Sequence, residues 1–180
     1  MALTVWLGNL SGETSDRMSS VRTYLLSLFS GISDGSNSFD TVRIISASDS
    51  IGKKDLLCYV VSNFDKSVVK NFDSTVTGGS GVAGNTNFRT GDTNISASEI
   101  YMDVITNACD NVEKGMANLI FHELMHNKAV MGDALHSQGG GGLAAEVVTQ
   151  DTSRSQGNVD FMKARLSKEV TQWQGGFVKS

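Results

Sequence analysis

Apolar residues along the chain fall into two kinds of block. Short, β-prone runs such as Leu3, Val5, Trp6 and Leu7 predict a first strand over residues 3–7. Longer stretches repeat their apolar positions every three to four residues, as helices do. Met18, Val21, Leu25, Leu28 and Phe29 form one such stripe, which predicts a helix over 16–30 with Ser15 as cap and Gly31 as stop. Residues 31–39 are rich in Ser, Gly, Asp and Asn and read as loop. Residues 41–46 and 56–62 predict a second and a third strand, and 66–72 a short helix or turn.

The second half repeats these signals around a polar centre. Residues 75–94 are dominated by Gly, Ser, Thr and Asn, which predicts a long surface loop or the wall of a binding cleft. Loose alternation of Ile95, Ala97, Ile100, Met102 and Val104 predicts a fourth strand over 95–104. Asp110 or Asn111 can cap a helix whose apolar side is Val112, Met116, Leu119, Ile120 and Ala129, ending near Lys128. Gly115 lies two turns before His122 on the same side, where it either permits close approach of the sheet or is merely tolerated. Beyond a turn at Gly132 and the glycines 139–142, residues 143–150 predict a short helix. Asn158 is placed to cap a last helix carrying Val159, Met162, Leu166, Val170 and Trp173, closed by Gly175 and Gly176. The pattern as a whole predicts one α+β domain over residues 1–180 with a small mixed twisted sheet, an N-terminal helix, a central helix and a C-terminal helix.

The central helix carries the chemistry. His122, Glu123 and His126 stand in the spacing H-E-x-x-H, which puts both imidazoles on one helical face, a turn apart. Two neutral imidazoles so placed can share one Zn²⁺, with the adjacent carboxylate in reach of a water. The chain holds only three histidines, and the third, His136, follows ten positions after His126. A catalytic zinc expects three protein ligands. His136 is the favoured third, because a helix that stops, turns at Gly132 and returns a histidine can complete the set. Glu146, twenty positions after His126, is the alternative.

Composition narrows the remaining classes. Fifteen Lys and Arg against nineteen Asp and Glu leave a net charge of −4, which offers no general attraction to nucleic acid or anionic membrane. No apolar run approaches the roughly 20 residues of a membrane span. Residues 1–10 lack a basic stretch followed by an apolar core, so no signal peptide is visible and a cytoplasmic location or a non-secretory export route is expected. Cys58 and Cys109 are too few for a disulfide framework and read as buried free thiols.

With His122, Glu123, His126, Gly132 and His136 in this order, the chain resembles the zincin metallopeptidases, and more narrowly a small metzincin. The third histidine comes four residues later than in the metzincin pattern, and the methionine available for a downstream turn is Met162. The resemblance implies a zincin-like fold and hydrolysis of peptide bonds by a zinc endopeptidase. His122, His126 and His136 would be its ligands, Glu123 its general base, and an extended protein or peptide its substrate, paired with an edge strand. Gly81 to Gly84 or the strand from Ile95 would form that wall. Glu146 as ligand would instead resemble the thermolysin-like gluzincins. The competing functions are a zinc-stabilised effector or structural module without protease activity and an amidase acting on cell-wall peptides.

Overall fold

The computed structural model describes residues 1–176. Its architecture is α+β, with a mostly parallel six-stranded sheet and six α-helices among the described residues. Strand β1 is Ala2–Asn9, α1 is Ser15–Phe29, β2 is Ser38–Ile44 and β3 is Leu56–Val61. A 3₁₀ turn at Phe64–Lys66 and the short α2, Val69–Phe72, lead to β4, Gly84–Arg89, and β5, Ile95–Tyr101. Then come α3, Met102–Ala108; α4, Val112–Ala129; α5, Ala134–Gln138; α6, Gln156–Lys163; and β6, Thr171–Gln172.

The sheet runs β2-β1-β3-β5-β4, with β6 paired to β5. All neighbours are parallel except β4, which lies antiparallel on β5 with Thr86 opposite Ser98. Every residue of β3 is buried, because helices cover one face and the chain between strands covers the other. On the helical face Leu3, Val5 and Leu7 of β1 and Leu56, Cys58 and Val60 of β3 pack with Met18, Val21 and Leu25 of α1 and with Ile120, Phe121 and Leu124 of α4. On the opposite face Trp6, Leu57, Tyr59, Val61 and Tyr101 form a second cluster, against which Phe64 and Trp173 lean. No helix among the described residues is long and apolar enough to cross a membrane.

Several expectations shift. Thr14, not Ser15, caps α1, accepting from the Arg17 amide, so the helix starts at Ser15. The second strand starts earlier and ends earlier than 41–46. The stretch 75–94 contains a strand, β4. The fourth strand stops at Tyr101, and Met102 opens a helix whose buried Met102 and Ile105 lie three apart. Residues 143–150 form no α-helix; a 3₁₀ turn, Gly142–Ala144, is followed by an irregular strap. The last helix ends at Lys163, its cap is Ser155 with Asn158 three positions inside, and Trp173 belongs to the other face of the sheet. A Cβ on Gly115 would meet Cys109 Sγ at 2.5 Å, so that glycine admits α3 rather than the sheet. Both cysteines are free and buried, as expected.

Candidate metal centre

Helix α4 is buried on all sides from Gly115 to Ala129, so each polar side chain it carries must find a partner. Each does, and the partners build the site. Asn118 donates to the carbonyls of Thr149, Gln150 and Thr152 at 2.8, 3.3 and 2.9 Å, pinning the strap over the helix. The Leu143 carbonyl, which a helix over 143–150 would use in its first turn, faces His122 Nδ1.

His122 and His126 are 6% and 9% exposed. His122 Nδ1 lies 2.8 Å from Leu143 O, and His126 Nδ1 lies 2.7 Å from Met131 O. A carbonyl only accepts, so in the neutral ring each Nδ1 carries the proton and each Nε2 a lone pair. The two Nε2 atoms stand 3.1 Å apart. Two nitrogens on one tetrahedral zinc, with bonds of roughly 2.0–2.1 Å, stand roughly 3.3 Å apart. Burial above all lowers the pKa of both imidazoles, which favours the ligating neutral form.

Each carbonyl is aimed by a backbone device. Leu143 O is set by the glycines before it. Gly140, Gly141 and Gly142 all have positive φ, and a Cβ on Gly140 would meet the Gly157 backbone at 2.5 Å. Asn158 staples that loop, accepting from Leu143 N at 2.9 Å and donating to Gly139 O and Gly141 O at 2.7 Å each. Met131 O is set by the end of α4. Val130 sits at φ 55°, ψ 54°, with its amide 3.2 Å from Asn127 O and the Met131 amide 3.1 Å from His126 O. This is the left-handed helix stop that glycine normally makes.

His136 comes from α5, which starts right after the Gly132 turn, and is half-buried. Its ring centroid is 5.6 Å from that of His122 and 5.3 Å from that of His126. One nitrogen from each of the three rings lies within 4.8 Å of the others. Among the described residues this is the cluster of side chains that could hold a metal ion. The donor set, three imidazoles with two tautomers fixed by carbonyls, fits Zn²⁺.

Glu123 is 5% exposed and lies on the sheet side of His122. The Thr86 hydroxyl on β4 donates to its Oε2 at 2.6 Å, and burial pushes its carboxyl up to about 7. A cleft of about 440 Å³ holds the three histidines, Glu123, and Gly81 to Thr86 along one wall, with Leu119 and Glu146 to Val148 opposite. Of the two expected walls, the glycine segment lines the cleft and the strand from Ile95 lies behind it. Glu146 reaches the cleft but is exposed and stands outside the histidine cluster. Met162 is fully buried in α6 rather than placed in a turn. Thr86, Asn118 and Asn158 were not singled out for these roles from sequence, because single Asn and Thr residues carry no spacing signal.

Compared with protein-family models, with curated proteins and with solved structures, the chain matches none.

Proposed function

We propose that the chain is a zinc-dependent endopeptidase with a zincin-like fold. The observation that carries this reading is the meeting of three imidazole nitrogens within 4.8 Å beside a buried carboxylate, in a cleft bordered by an open strand edge. His122, His126 and His136 would hold the ion. Bound there, zinc would lower the pKa of a water and polarise a substrate carbonyl. Glu123 takes the proton of the attacking water and delivers it to the leaving amide nitrogen as the C–N bond breaks. No Lys or Arg among the described residues pairs with the carboxylate, which keeps it available for both transfers.

The strand edge supports an extended peptide as substrate. Tyr101 N donates to Ala83 O, so in the antiparallel ladder Asn85 and Asn87 face β5 with their main-chain groups. Gly84 and Thr86 therefore point theirs outward, and β4 has no strand on that side among the described residues. A peptide chain laid along this edge would pair with those groups directly above Glu123.

The test is Glu123→Gln. The variant should bind zinc as the wild type does and lose at least about 10²-fold in hydrolysis of an unfolded protein. Cleavage at the wild-type rate would remove Glu123 from the reaction.

A further inference from the structure

A buried polar row lies between α4 and the sheet and runs into the site, with Asn127 on α4, Ser98 on β5 and Gln172 on β6. Ser98, Asn127 and Gln172 are 0%, 0% and 4% exposed. Their hydrogen bonds have a fixed direction that starts from a main-chain donor. Leu57 N can only donate, and it meets Gln172 Oε1 at 3.0 Å, which fixes the orientation of that amide. The Gln172 Nε2 group then donates to Asn127 Oδ1 at 2.9 Å. Asn127 must therefore present Nδ2 to Gln172 Oε1 at 3.0 Å and to Ser98 Oγ at 2.9 Å. Ser98 Oγ, which accepts from Asn127, lies 2.9 Å from Thr86 Oγ1. The ionised Glu123 carboxylate only accepts, so the single hydroxyl proton of Thr86 goes to Glu123 Oε2 at 2.6 Å rather than to Glu123 O at 3.0 Å, and the Ser98 proton is left to point at Thr86 Oγ1.

We propose that Thr86 is the positioning residue of Glu123, itself held in place by the chain Gln172–Asn127–Ser98. This inference rests on the peptidase reading for its consequence, but not for its geometry. The carboxylate has two oxygens, and Thr86 holds one of them. The other, Oε1, lies against Gly84, where a Cβ would come within 2.7 Å of it and 2.8 Å of Glu99 O. The strand β4 thus fixes the acid twice, by a hydroxyl that ties down Oε2 and by a missing side chain that leaves Oε1 room. Because the same two residues offer their outward main-chain groups to a substrate, the base and the bound peptide share one reference frame. That arrangement holds the acid at a constant height above the peptide bond to be cut.

The experiment has two parts on the full chain. In zinc-loaded protein, Thr86→Val should lower kcat by about 10²-fold with KM and zinc content held, and Thr86→Ser should restore most of the rate. In metal-free protein, a double-mutant cycle is read by urea unfolding. Thr86→Val should lower the midpoint in the wild-type background, and most of that drop should vanish in a Glu123→Ala background. Additive midpoints, or a Thr86→Ser variant as slow as Thr86→Val, would overturn the proposal. If the wild type shows no zinc-dependent hydrolysis, the peptidase reading falls and the unfolding cycle alone decides the pairing of Thr86 with Glu123.

Discussion

At the scale of single residues, the site is made by what each buried polar atom is paired with. The Nδ1 protons of His122 and His126 are committed to Leu143 O and Met131 O, which leaves both Nε2 lone pairs facing one point. His136 adds a nitrogen to that point and Glu146 does not. The two residues are therefore separable by metal content. His136→Ala should reduce zinc occupancy sharply, whereas Glu146→Ala should keep it; mass-spectrometric metal analysis of the two purified variants checks this. The reverse result would move the third ligand to the strap. The H-E-x-x-H spacing was legible because helical periodicity alone stacks positions four apart. The roles of Thr86 and Asn158 were not, since each depends on a partner more than ten positions away in the chain: Glu123 for Thr86, and the loop of Gly139 and Gly141 for Asn158.

At the scale of elements, the ends of helices and strands do the aiming. Helix α4 stops at Val130 in a left-handed conformation that costs a β-branched residue roughly 1–2 kcal/mol. The stop also delivers Met131 O to His126. Val130→Gly should keep that turn and raise the stability of the metal-free protein by about 1 kcal/mol in urea unfolding. A loss of stability would mean that the packing of the half-buried Val130 side chain outweighs the backbone strain. The elements that escaped the sequence share a cause. Strand β4 presents Asn85, Thr86 and Asn87 in its middle and shows no apolar alternation, because one face of it borders the cleft. The strap of residues 145–152 follows Leu143, whose carbonyl faces His122, and is itself tied to α4 by Asn118. In both places a tertiary partner overrides local preference, and both places border the site. The strands β1 and β3 and the helices α1 and α4 were legible because burial against one another dictates their periodicity.

At the scale of the whole molecule, the sheet and its two long helices form a frame that joins distant parts of the chain. Arg17 at the start of α1 reaches Glu13 at 2.8 Å and Glu113, in the first turn of α4, at 3.0 Å. Its side chain is 33% exposed and that of Glu113 30%, so the contribution is modest, about 0.5–1 kcal/mol. The main-chain amide of Glu113 and then Arg17 hold its carboxyl below the ordinary value of 4.5. A carboxylate with a depressed folded value stabilises the protein above its unfolded value and loses that contribution as pH falls through the folded one. Arg17→Met should therefore cost stability at about pH 7 and little at about pH 3, as read by urea unfolding at both. An equal cost at both would assign the effect to packing of the arginine stem. The frame brings β4, α4 and α5 together, so that residues from Gly81 to Val148 meet around one cleft. The central claim is that the three imidazoles of this cleft hold a zinc ion. Metal analysis of the wild-type chain, purified without chelators and then titrated with Zn²⁺ by calorimetry, tests it most directly. The account predicts one tightly held zinc per chain, lost with His122→Ala; a chain that carries no zinc and takes up none when it is offered would contradict it.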